Sequence, residues 1–340
     1  MKYYCDKCNK IITETILPRC KCGEVYDLQY EYHNHVISSI IYDDKITHWK
    51  YVEFMPINHH NTKMVTMGEG GTPLLGFNRL SFGGNLYFKC EFMNPTGSFK
   101  DRASALEVTL AQGKDEIICA TTGNMGASIA AYAAVIEMDC TIFMPKNIHN
   151  IKIEQIKMYG AKIIEVNGDY ADALKAAEDY YLNTKDSYLA GDYGIRVEGT
   201  KSVGFEICEQ FEWGVPDYII VPVGNGTLLY AIWKAFDDLL RFKIIDKMPE
   251  IIGVKSNDPA HTIASAIACK TPLYTDIIQT YDIADIIDVS DEEIMEARNI
   301  LAKNGLFVEP AGAVAYAGLR KIKIVGDIVV LLTGHGLKGI

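Results

Sequence analysis

Short apolar segments rich in β-branched residues alternate with helical segments along most of the chain. The pattern predicts strands at 86–92, 116–120, 140–144, 162–166, 218–223, 251–255 and 327–332, and helices at 103–111, 127–135, 151–159, 170–183, 202–211, 228–239, 292–304 and 313–320. Strands that are apolar on both faces and follow helices belong to parallel sheets covered on both sides. The expected fold class is therefore α/β, with two doubly wound domains built on mostly parallel sheets.

The length of 340 residues exceeds the usual range of a single hydrophobic core, so two packed units are expected. We expect a short cysteine knuckle at 1–30, a large domain formed by 31–89 together with 191–340, and a small domain at 90–190. Ligands of parallel sheets bind beyond the carboxyl ends of the strands. The glycine-containing loops that follow the predicted strands are therefore the candidate binding loops.

The formal net charge of −11 and the sequence pI of about 5.2 disfavour nucleic acid as a partner. No apolar run reaches the roughly 18 residues of a membrane span. The first residues lack the apolar segment of a signal peptide, so a cytoplasmic protein is expected. A small-molecule ligand is the remaining class of partner.

Four of the nine cysteines, Cys5, Cys8, Cys20 and Cys22, lie in the first 22 residues and resemble the two knuckles of a zinc ribbon. The second pair has one residue fewer between its cysteines than the preferred spacing. A structural zinc site and a degenerate knuckle without metal are both open. The other five cysteines stand singly among apolar neighbours, which is typical of core residues in a reducing compartment.

The sequence Asn-Pro-Thr-Gly-Ser-Phe-Lys-Asp-Arg at 94–102 places Lys100 after a turn and at the beginning of a helical run. The positive end of a helix disfavours the charged form of a lysine, and a neutral amine is a nucleophile toward carbonyl groups. An isolated segment of this kind is more often a surface loop. The other loops of the chain favour a reactive lysine.

Three loops after predicted strands carry groups suited to an anionic aromatic cofactor. The loop at 121–128 offers hydroxyl groups, backbone N–H groups and the amide of Asn124, and the loop at 223–227 can wrap backbone N–H groups around a phosphate. The loop at 333–336 begins with the hydroxyl of Thr333. Neither nucleotide-binding fingerprint is present. A phosphate loop combined with a reactive amine points to pyridoxal phosphate.

Segment 94–102 resembles the cofactor-lysine motif of the threonine synthase family, within the tryptophan-synthase-β-like (fold type II) pyridoxal phosphate enzymes. The segments at 70–74, 122–124, 223–226, 309–311 and 333–338 are similar to further motifs of that family and occur in the same order. The cysteine knuckle is also similar to that of many threonine synthases. The similarity extends over nearly the whole chain.

The resemblance implies a role for each motif. Lys100 forms the Schiff base with the cofactor and moves protons at the substrate carbons, and Thr333 faces the pyridine nitrogen. Asn124 donates to the ring oxygen, and Arg196 binds the substrate phosphate. The cofactor phosphate is held by Gly224, Asn225, Gly226 and Thr227. The substrate carboxylate is bound by Thr121, Thr122 and Gly123.

The activity that the resemblance implies is conversion of O-phosphohomoserine and water to threonine and phosphate. Ala190 and Gly191 stand where the family has two polar residues, and Met125 stands where it has a small hydroxyl residue. These departures leave a second activity open, namely β-replacement or β-elimination on another amino acid, as in cysteate synthesis or serine/threonine dehydration. A binding protein without turnover is the non-enzymatic alternative. Family members are often homodimers, and a homodimer is expected here.

Overall fold

The computed structural model describes residues 1–13, 17–30, 45–58, 60–80, 83–121, 123–146 and 151–339. Within that range the chain forms two compact units. The first unit contains Met1–Tyr42, Trp49–Glu69 and Lys100–Gly199, and the second contains Asp43–His48, Gly70–Phe99 and Thr200–Ile340, counting only their described residues.

The first unit carries two sheets. The strands β1 (Lys2–Cys5), β2 (Lys10–Ile12) and β3 (Asp27–Gln29) form a small antiparallel sheet in the order β2-β1-β3.

The strands β6 (Glu116–Ala120), β7 (Asp139–Pro145), β8 (Lys162–Val166) and β9 (Ser187–Ala190) form a parallel sheet in the order β8-β7-β6-β9. Its helices are α1 (Lys100–Ala111), α2 (Asn124–Val135), α3 (Ile151–Met158), α4 (Tyr170–Asn183) and α5 (Gly194–Thr200), the last of which ends at the unit boundary.

The second unit has one six-stranded sheet in the order β12-β11-β10-β13-β5-β4. Its strands are β4 (Leu74–Gly76), β5 (Asn85–Lys89), β10 (Tyr218–Pro222), β11 (Glu250–Ser256), β12 (Asp285–Val289) and β13 (Asp327–Leu331). All neighbours in this sheet pair in parallel except the edge strand β4, which is antiparallel to β5. The helices are α6 (Ser202–Gln210), α7 (Thr227–Arg241), α8 (Thr275–Thr280), α9 (Asp291–Lys303) and α10 (Pro310–Leu319).

Each parallel sheet lies in its own hydrophobic core. In the first unit the alanine-rich helix α2 packs with the buried faces of β6 and β7. In the second unit the small residues of α10 pack on β10 and β13, which are buried along almost their whole length. Small side chains on these helices allow close approach to the flat, β-branched faces of the strands. The fold is the expected α/β class with mostly parallel sheets.

Among the described residues, no helix combines the length and the apolar character that a membrane span requires. The loops that follow β6, β10 and β13 leave the carboxyl ends of parallel strands. This is the edge of each sheet at which ligands of α/β proteins bind. Among the described residues, those expected to bind the cofactor or the substrate lie in these loops or at the beginning of α1, except Arg196, which lies on α5.

Candidate active site

Lys100 is the first residue of helix α1, three residues earlier than the sequence pattern predicts. The chain that leads to it is fixed by the loop after β13. The backbone N–H of Phe99 donates to the carbonyl of Thr333 at 3.2 Å, and Ser98 forms a bridge with Gly334. Gly97 adopts a left-handed conformation with φ of +80°, which an L side chain rarely adopts. The backbone that leads into Lys100 is therefore fixed by contacts within the second unit.

The amine of Lys100 is almost enclosed and has a carboxylate beside it. The side chain is 17% exposed, and its Nζ atom lies 3.6 Å from Oδ1 of Asp192. Burial lowers the pKa of Lys100, the charge of Asp192 raises it, and the charge of Arg196 lowers it further; the net effect is a pKa below the ordinary value. A lysine in this state supplies a neutral amine more readily than a surface lysine does.

The loop after β6 leads directly into helix α2, which begins at Asn124. Asn124 is 7% exposed, so its side chain is enclosed at the first position of the helix. The hydroxyl oxygen of Thr121 accepts the N–H of Gly123 at 3.1 Å. Thr122, the third residue expected to bind a substrate carboxylate, lies outside the described residues. The loop has the hydroxyl, the backbone and the helix N-terminus that bind anions in proteins.

The loop from Gly224 to Thr227 joins β10 to the 15-residue helix α7. Gly226 precedes the helix with φ of +87°, and a Cβ atom added there would lie 3.0 Å from the Tyr274 Cβ. The loop is anchored through Asn225, whose carbonyl accepts the N–H of Tyr274 at 3.0 Å and whose Oδ1 accepts the Cys269 thiol at 2.8 Å. A close backbone turn before a long helix fits a phosphate group, because its N–H groups and the helix dipole both attract an anion.

Thr333 follows β13 and is 5% exposed. Its loop lies against the segment before Lys100, because the N–H of His335 donates to the carbonyl of Gly97 at 2.9 Å and the Lys338 ammonium donates to the carbonyl of Thr96 at 2.7 Å. The structure thus places a buried neutral hydroxyl at this strand end.

Arg196 lies on the short helix α5 and is 1% exposed. Its Nη2 atom forms a hydrogen-bonded ion pair with Oε2 of Glu107, and its Nε atom donates to the carbonyl of Gly191 at 3.2 Å. Burial raises the pKa of Glu107 to about 7, and the charge of Arg196 opposes this shift. The guanidinium expected to bind the substrate phosphate therefore already holds a carboxylate.

The structure also shows where the residues that depart from the family pattern lie. Ala190 ends strand β9 and Met125 lies in helix α2; both are buried and offer no side-chain hydrogen-bond donor. The backbone N–H of Gly191 donates to Oε1 of Glu107 at 3.1 Å. That N–H consequently binds the glutamate in this structure, instead of being directed to a substrate.

Sequence reasoning missed two charged residues of the first unit. Glu107 stands seven residues after Lys100, which is two turns of helix α1 and the same helical face, so the spacing was a usable signal. Lys152 is 2% exposed, and a Cβ atom added at Gly123 would lie 2.8 Å from its Cδ atom. Lys152 therefore lies beside the loop expected to bind the substrate carboxylate.

The predicted site residues are distributed over both units. Lys100, Thr121, Gly123, Asn124 and Arg196 belong to the first unit, and Gly224, Asn225, Gly226, Thr227 and Thr333 belong to the second. Within its own unit, each of these features suits one part of pyridoxal phosphate: the enclosed amine suits the aldehyde, the turn at 224–227 suits the phosphate, and the strand-end hydroxyl suits the ring nitrogen.

The cysteine knuckle brings its four sulfur atoms together. The Sγ atoms of Cys5, Cys8, Cys20 and Cys22 all lie within 4.8 Å of one another, with 3.6 Å between Cys5 and Cys22 and 3.9 Å between Cys8 and Cys20. Tetrahedral zinc with Zn–S bonds of about 2.3 Å requires sulfur atoms about 3.8 Å apart. The shorter spacing of the second pair does not prevent this arrangement, and the cluster is suited to a structural metal ion.

The chain matches the family model described as pyridoxal-phosphate dependent enzyme over residues 65–334. A threonine synthase of Methanocaldococcus jannaschii is 37% identical, with the alignment covering 98% of this chain and 92% of that protein. A threonine synthase of Bacillus sp. is 38% identical, covering 85% of this chain and 89% of that protein.

Two solved structures have a similar fold. The cysteine synthase of Entamoeba histolytica superimposes with a TM-score of 0.68 at 22% identity, covering 79% of this chain and 86% of that chain. The serine racemase of maize superimposes with a TM-score of 0.67 at 20% identity, covering 78% of this chain and 88% of that chain. At this level of identity the comparison concerns the fold alone.

Proposed function

The chain belongs to the threonine synthase family of pyridoxal-phosphate dependent enzymes, and we propose that it converts O-phosphohomoserine and water to threonine and phosphate. The observation that carries this proposal is the enclosed Lys100 amine at the first position of α1, with the Asp192 carboxylate beside it. Pyridoxal phosphate, when bound, supplies the electron sink that stabilises negative charge on the substrate carbons.

Lys100 is assigned to the cofactor aldehyde and to proton transfer at the α and β carbons of the substrate. Its lowered pKa supports both roles, because the neutral amine is the form that attacks a carbonyl and accepts a proton. The loop from Gly224 to Thr227 is assigned to the cofactor phosphate. Asn124 is assigned to the ring oxygen and Thr333 to the ring nitrogen. These assignments rest on the motifs and on the local geometry of each loop.

Thr121, Thr122 and Gly123 are assigned to the substrate carboxylate, and Arg196 to the substrate phosphate. A doubly charged leaving group needs several donors or cations. The Lys152 side chain, which lies against Gly123, adds a cation to the carboxylate loop. Binding of both anionic ends fixes the substrate with its reacting carbons beside Lys100.

A second function is favoured by one specific observation. The Glu107 carboxylate holds Arg196, and the neighbouring Ala190 and Met125 offer no donors to a phosphate. β-Replacement or β-elimination on an amino acid with an uncharged or weakly charged leaving group would not need the arginine. The substrate range therefore decides between the two functions.

The test is a steady-state assay of the cofactor-loaded protein with O-phosphohomoserine, O-phosphoserine, serine and threonine. We expect threonine and phosphate from O-phosphohomoserine at a higher kcat/KM than any product from the other three. Lys100→Ala, assayed in parallel, should lose all turnover. Preferred turnover of serine or threonine would support the second function with an uncharged leaving group, and preferred turnover of O-phosphoserine would support β-replacement of a phosphate. Phosphate release from O-phosphohomoserine without threonine would overturn the first function.

We also propose that the chain works as a homodimer in the cytoplasm. Support for the compartment comes from the nine cysteines, none of which forms a disulfide bond in the structure. Sedimentation of the purified protein over a range of concentrations tests the dimer. A single species with the mass of one chain at micromolar concentration would contradict it.

A further inference from the structure

Four ionisable side chains of the first unit form an enclosed cluster. The basic side chains are Lys100 and Arg196, and the acidic side chains are Asp192 and Glu107. The exposed fractions of the side chains are 17% for Lys100, 7% for Asp192, 1% for Arg196 and 2% for Glu107. Charges so far removed from water interact strongly with any further charge that enters.

Both carboxylate oxygens of Glu107 accept hydrogen bonds, so this side chain does more than balance a neighbouring charge. One of its oxygens accepts from the Arg196 guanidinium, the other accepts the N–H of Gly191, and Arg196 donates in turn to the Gly191 carbonyl. Lys100 faces Glu107 from the same helix, and Asp192 from the segment after β9. The ionisable groups that face it from β6 and β9 are Cys119 and Tyr188.

A phosphate dianion bound to Arg196 would change the charge of this cluster by two units. It would also lie within a few ångströms of the Glu107 carboxylate, because both need the same guanidinium. Like charges at such a distance in an enclosed site are strongly unfavourable. Protonation of Glu107 removes this repulsion, and the neutral carboxyl group can still form hydrogen bonds.

We propose that Glu107 is the specificity-determining residue of the phosphate site: its carboxylate holds Arg196 in the free enzyme and takes up one proton from solvent when a phosphate binds there. The inference rests on the proposed function, since the assignment of Arg196 to the substrate phosphate is made there. The step forms one O–H bond on the Glu107 carboxylate, with the proton taken from water or buffer, and no bond of the substrate is made or broken. Glu107 acts on the substrate through Arg196 and is a positioning residue.

The pKa of Glu107, which burial raises to about 7, makes this proton uptake accessible near neutral pH. Above that pH the unbound glutamate is ionised, so binding of a dianion weakens by about tenfold for each pH unit. A substrate with an uncharged leaving group requires no such proton and has no such dependence. Glu107 therefore makes the choice between phosphorylated and unphosphorylated amino acids dependent on pH.

The test uses inorganic sulfate, which remains a dianion across the neutral range and reports only the protonation of the protein. Sulfate is titrated calorimetrically into cofactor-loaded protein, so that the cofactor occupies its own phosphate loop. Two buffers of different ionisation enthalpy at about pH 8 give the number of protons taken up. Competition between sulfate and O-phosphohomoserine in the steady-state assay identifies the site.

We expect the wild type to take up about one proton for each sulfate bound at about pH 8. Glu107→Gln keeps an acceptor for the Gly191 N–H but cannot ionise, so it should take up none and bind sulfate about tenfold more tightly. Glu154→Gln, which changes a surface glutamate with a side chain 64% exposed, is the matched control and should behave as the wild type does.

Proton uptake that is absent in the wild type, or equal in the wild type and in Glu107→Gln, would overturn the inference. So would a failure of sulfate to bind either protein. If Glu107→Gln does not fold, the proton uptake of the wild type decides alone. Threonine formation by the wild type is a separate readout: an enzyme that makes threonine without the proton linkage refutes only the inference, and one that makes no threonine refutes the proposed function.

Discussion

The amine of Lys100 lies 3.6 Å from a carboxylate oxygen of Asp192, on the short segment between β9 and α5. Burial and Arg196 lower the pKa of this lysine, whereas Asp192 raises it. The carboxylate consequently limits how far the pKa falls while it keeps the amine in place. The amine assigned to the cofactor thus experiences the opposing charges of an anion, Asp192, and a cation, Arg196.

A first prediction concerns the pH dependence of this amine. In cofactor-free protein, the rate at which Lys100 reacts with pyridoxal phosphate should rise with pH through a midpoint below the ordinary lysine value of 10.5. Asp192→Asn removes the charge that favours the protonated form, so its midpoint should be lower still. Asp179→Asn, an exposed position on α4, is the control and should not move the midpoint. A midpoint that rises in Asp192→Asn contradicts the electrostatic account.

A second prediction concerns the phosphate loop. Gly226→Ala and Gly113→Ala both place an L side chain at φ of +87°, but only the alanine at 226 meets neighbours, at 3.0 Å, while nothing lies within 4 Å at 113. Both variants lose roughly 1–2 kcal/mol of stability from the left-handed conformation. Only Gly226→Ala should also weaken pyridoxal phosphate binding, by about tenfold or more, which corresponds to about 1.4 kcal/mol. Equal cofactor affinities in fluorescence titrations of the two variants would show that the loop at 224–227 does not bind the cofactor.

Much of this architecture can be read from the sequence. The strand at Glu116–Ala120, the strand at Lys162–Val166 and the helix at Tyr170–Asn183 have the predicted bounds, because their apolar patterns are strong and their ends are marked by polar or turn residues. The strands that the pattern missed include β9 and β12, which lie at the edges of their sheets. β12 buries only Val289, so its apolar signal is weak. β9 buries three of its four residues, but a strand of four residues is too short to give a clear pattern.

Only part of the candidate site could be predicted from the sequence. Lys100 and the glycine loops are local features that a motif reveals. The pairing of Glu107 with Arg196 joins residues 89 positions apart, and no local pattern connects them. A helical-face argument identifies Glu107 as a neighbour of Lys100, but only the fold brings α5 to the same place. Long-range charge pairing is the part of the site that requires the structure.

A third prediction concerns the stability of the second unit. Lys89 and Glu206 form a fully buried ion pair at 2.8 Å, and the same glutamate accepts the N–H of Gly71. Lys89→Met leaves a buried carboxylate without its cation and should lower the free energy of unfolding by about 3–5 kcal/mol. Lys255→Met breaks the exposed pair with Asp288 and should change it by less than about 0.5 kcal/mol.

Urea unfolding of the two lysine variants, followed by circular dichroism, gives both free energies under identical conditions. Similar midpoints for Lys89→Met and Lys255→Met would mean that the buried pair contributes no more than a surface pair. A lower urea midpoint for Lys89→Met than for Lys255→Met would support a stabilising role for the buried Lys89–Glu206 pair.

A fourth prediction concerns the cysteine cluster. Protein purified without chelator should contain about one zinc ion per chain by mass spectrometry, held by the four thiolates. Cys5→Ser and Cys20→Ser should each lose the metal and destabilise the small antiparallel sheet, because closed zinc sites contribute directly to folding. Cys140→Ser changes a cysteine of β7 and should keep the metal. Metal-free wild-type protein with an unchanged unfolding profile would identify a degenerate knuckle.

The proposed reaction has a specific oxygen balance. Phosphate leaves from the γ carbon with all the oxygen atoms it carried, and the hydroxyl oxygen of threonine comes from water. Simple hydrolysis of the phosphate ester at phosphorus would instead put solvent oxygen into phosphate and yield homoserine. The two outcomes differ in the product and in the position of the label.

The most direct measurement is therefore turnover of O-phosphohomoserine by the cofactor-loaded protein in water enriched in oxygen-18, with both products analysed by mass spectrometry. The account predicts equal amounts of threonine and phosphate, with the label in threonine and none in phosphate, and no product from Lys100→Ala. Labelled phosphate, or phosphate without threonine, would contradict it.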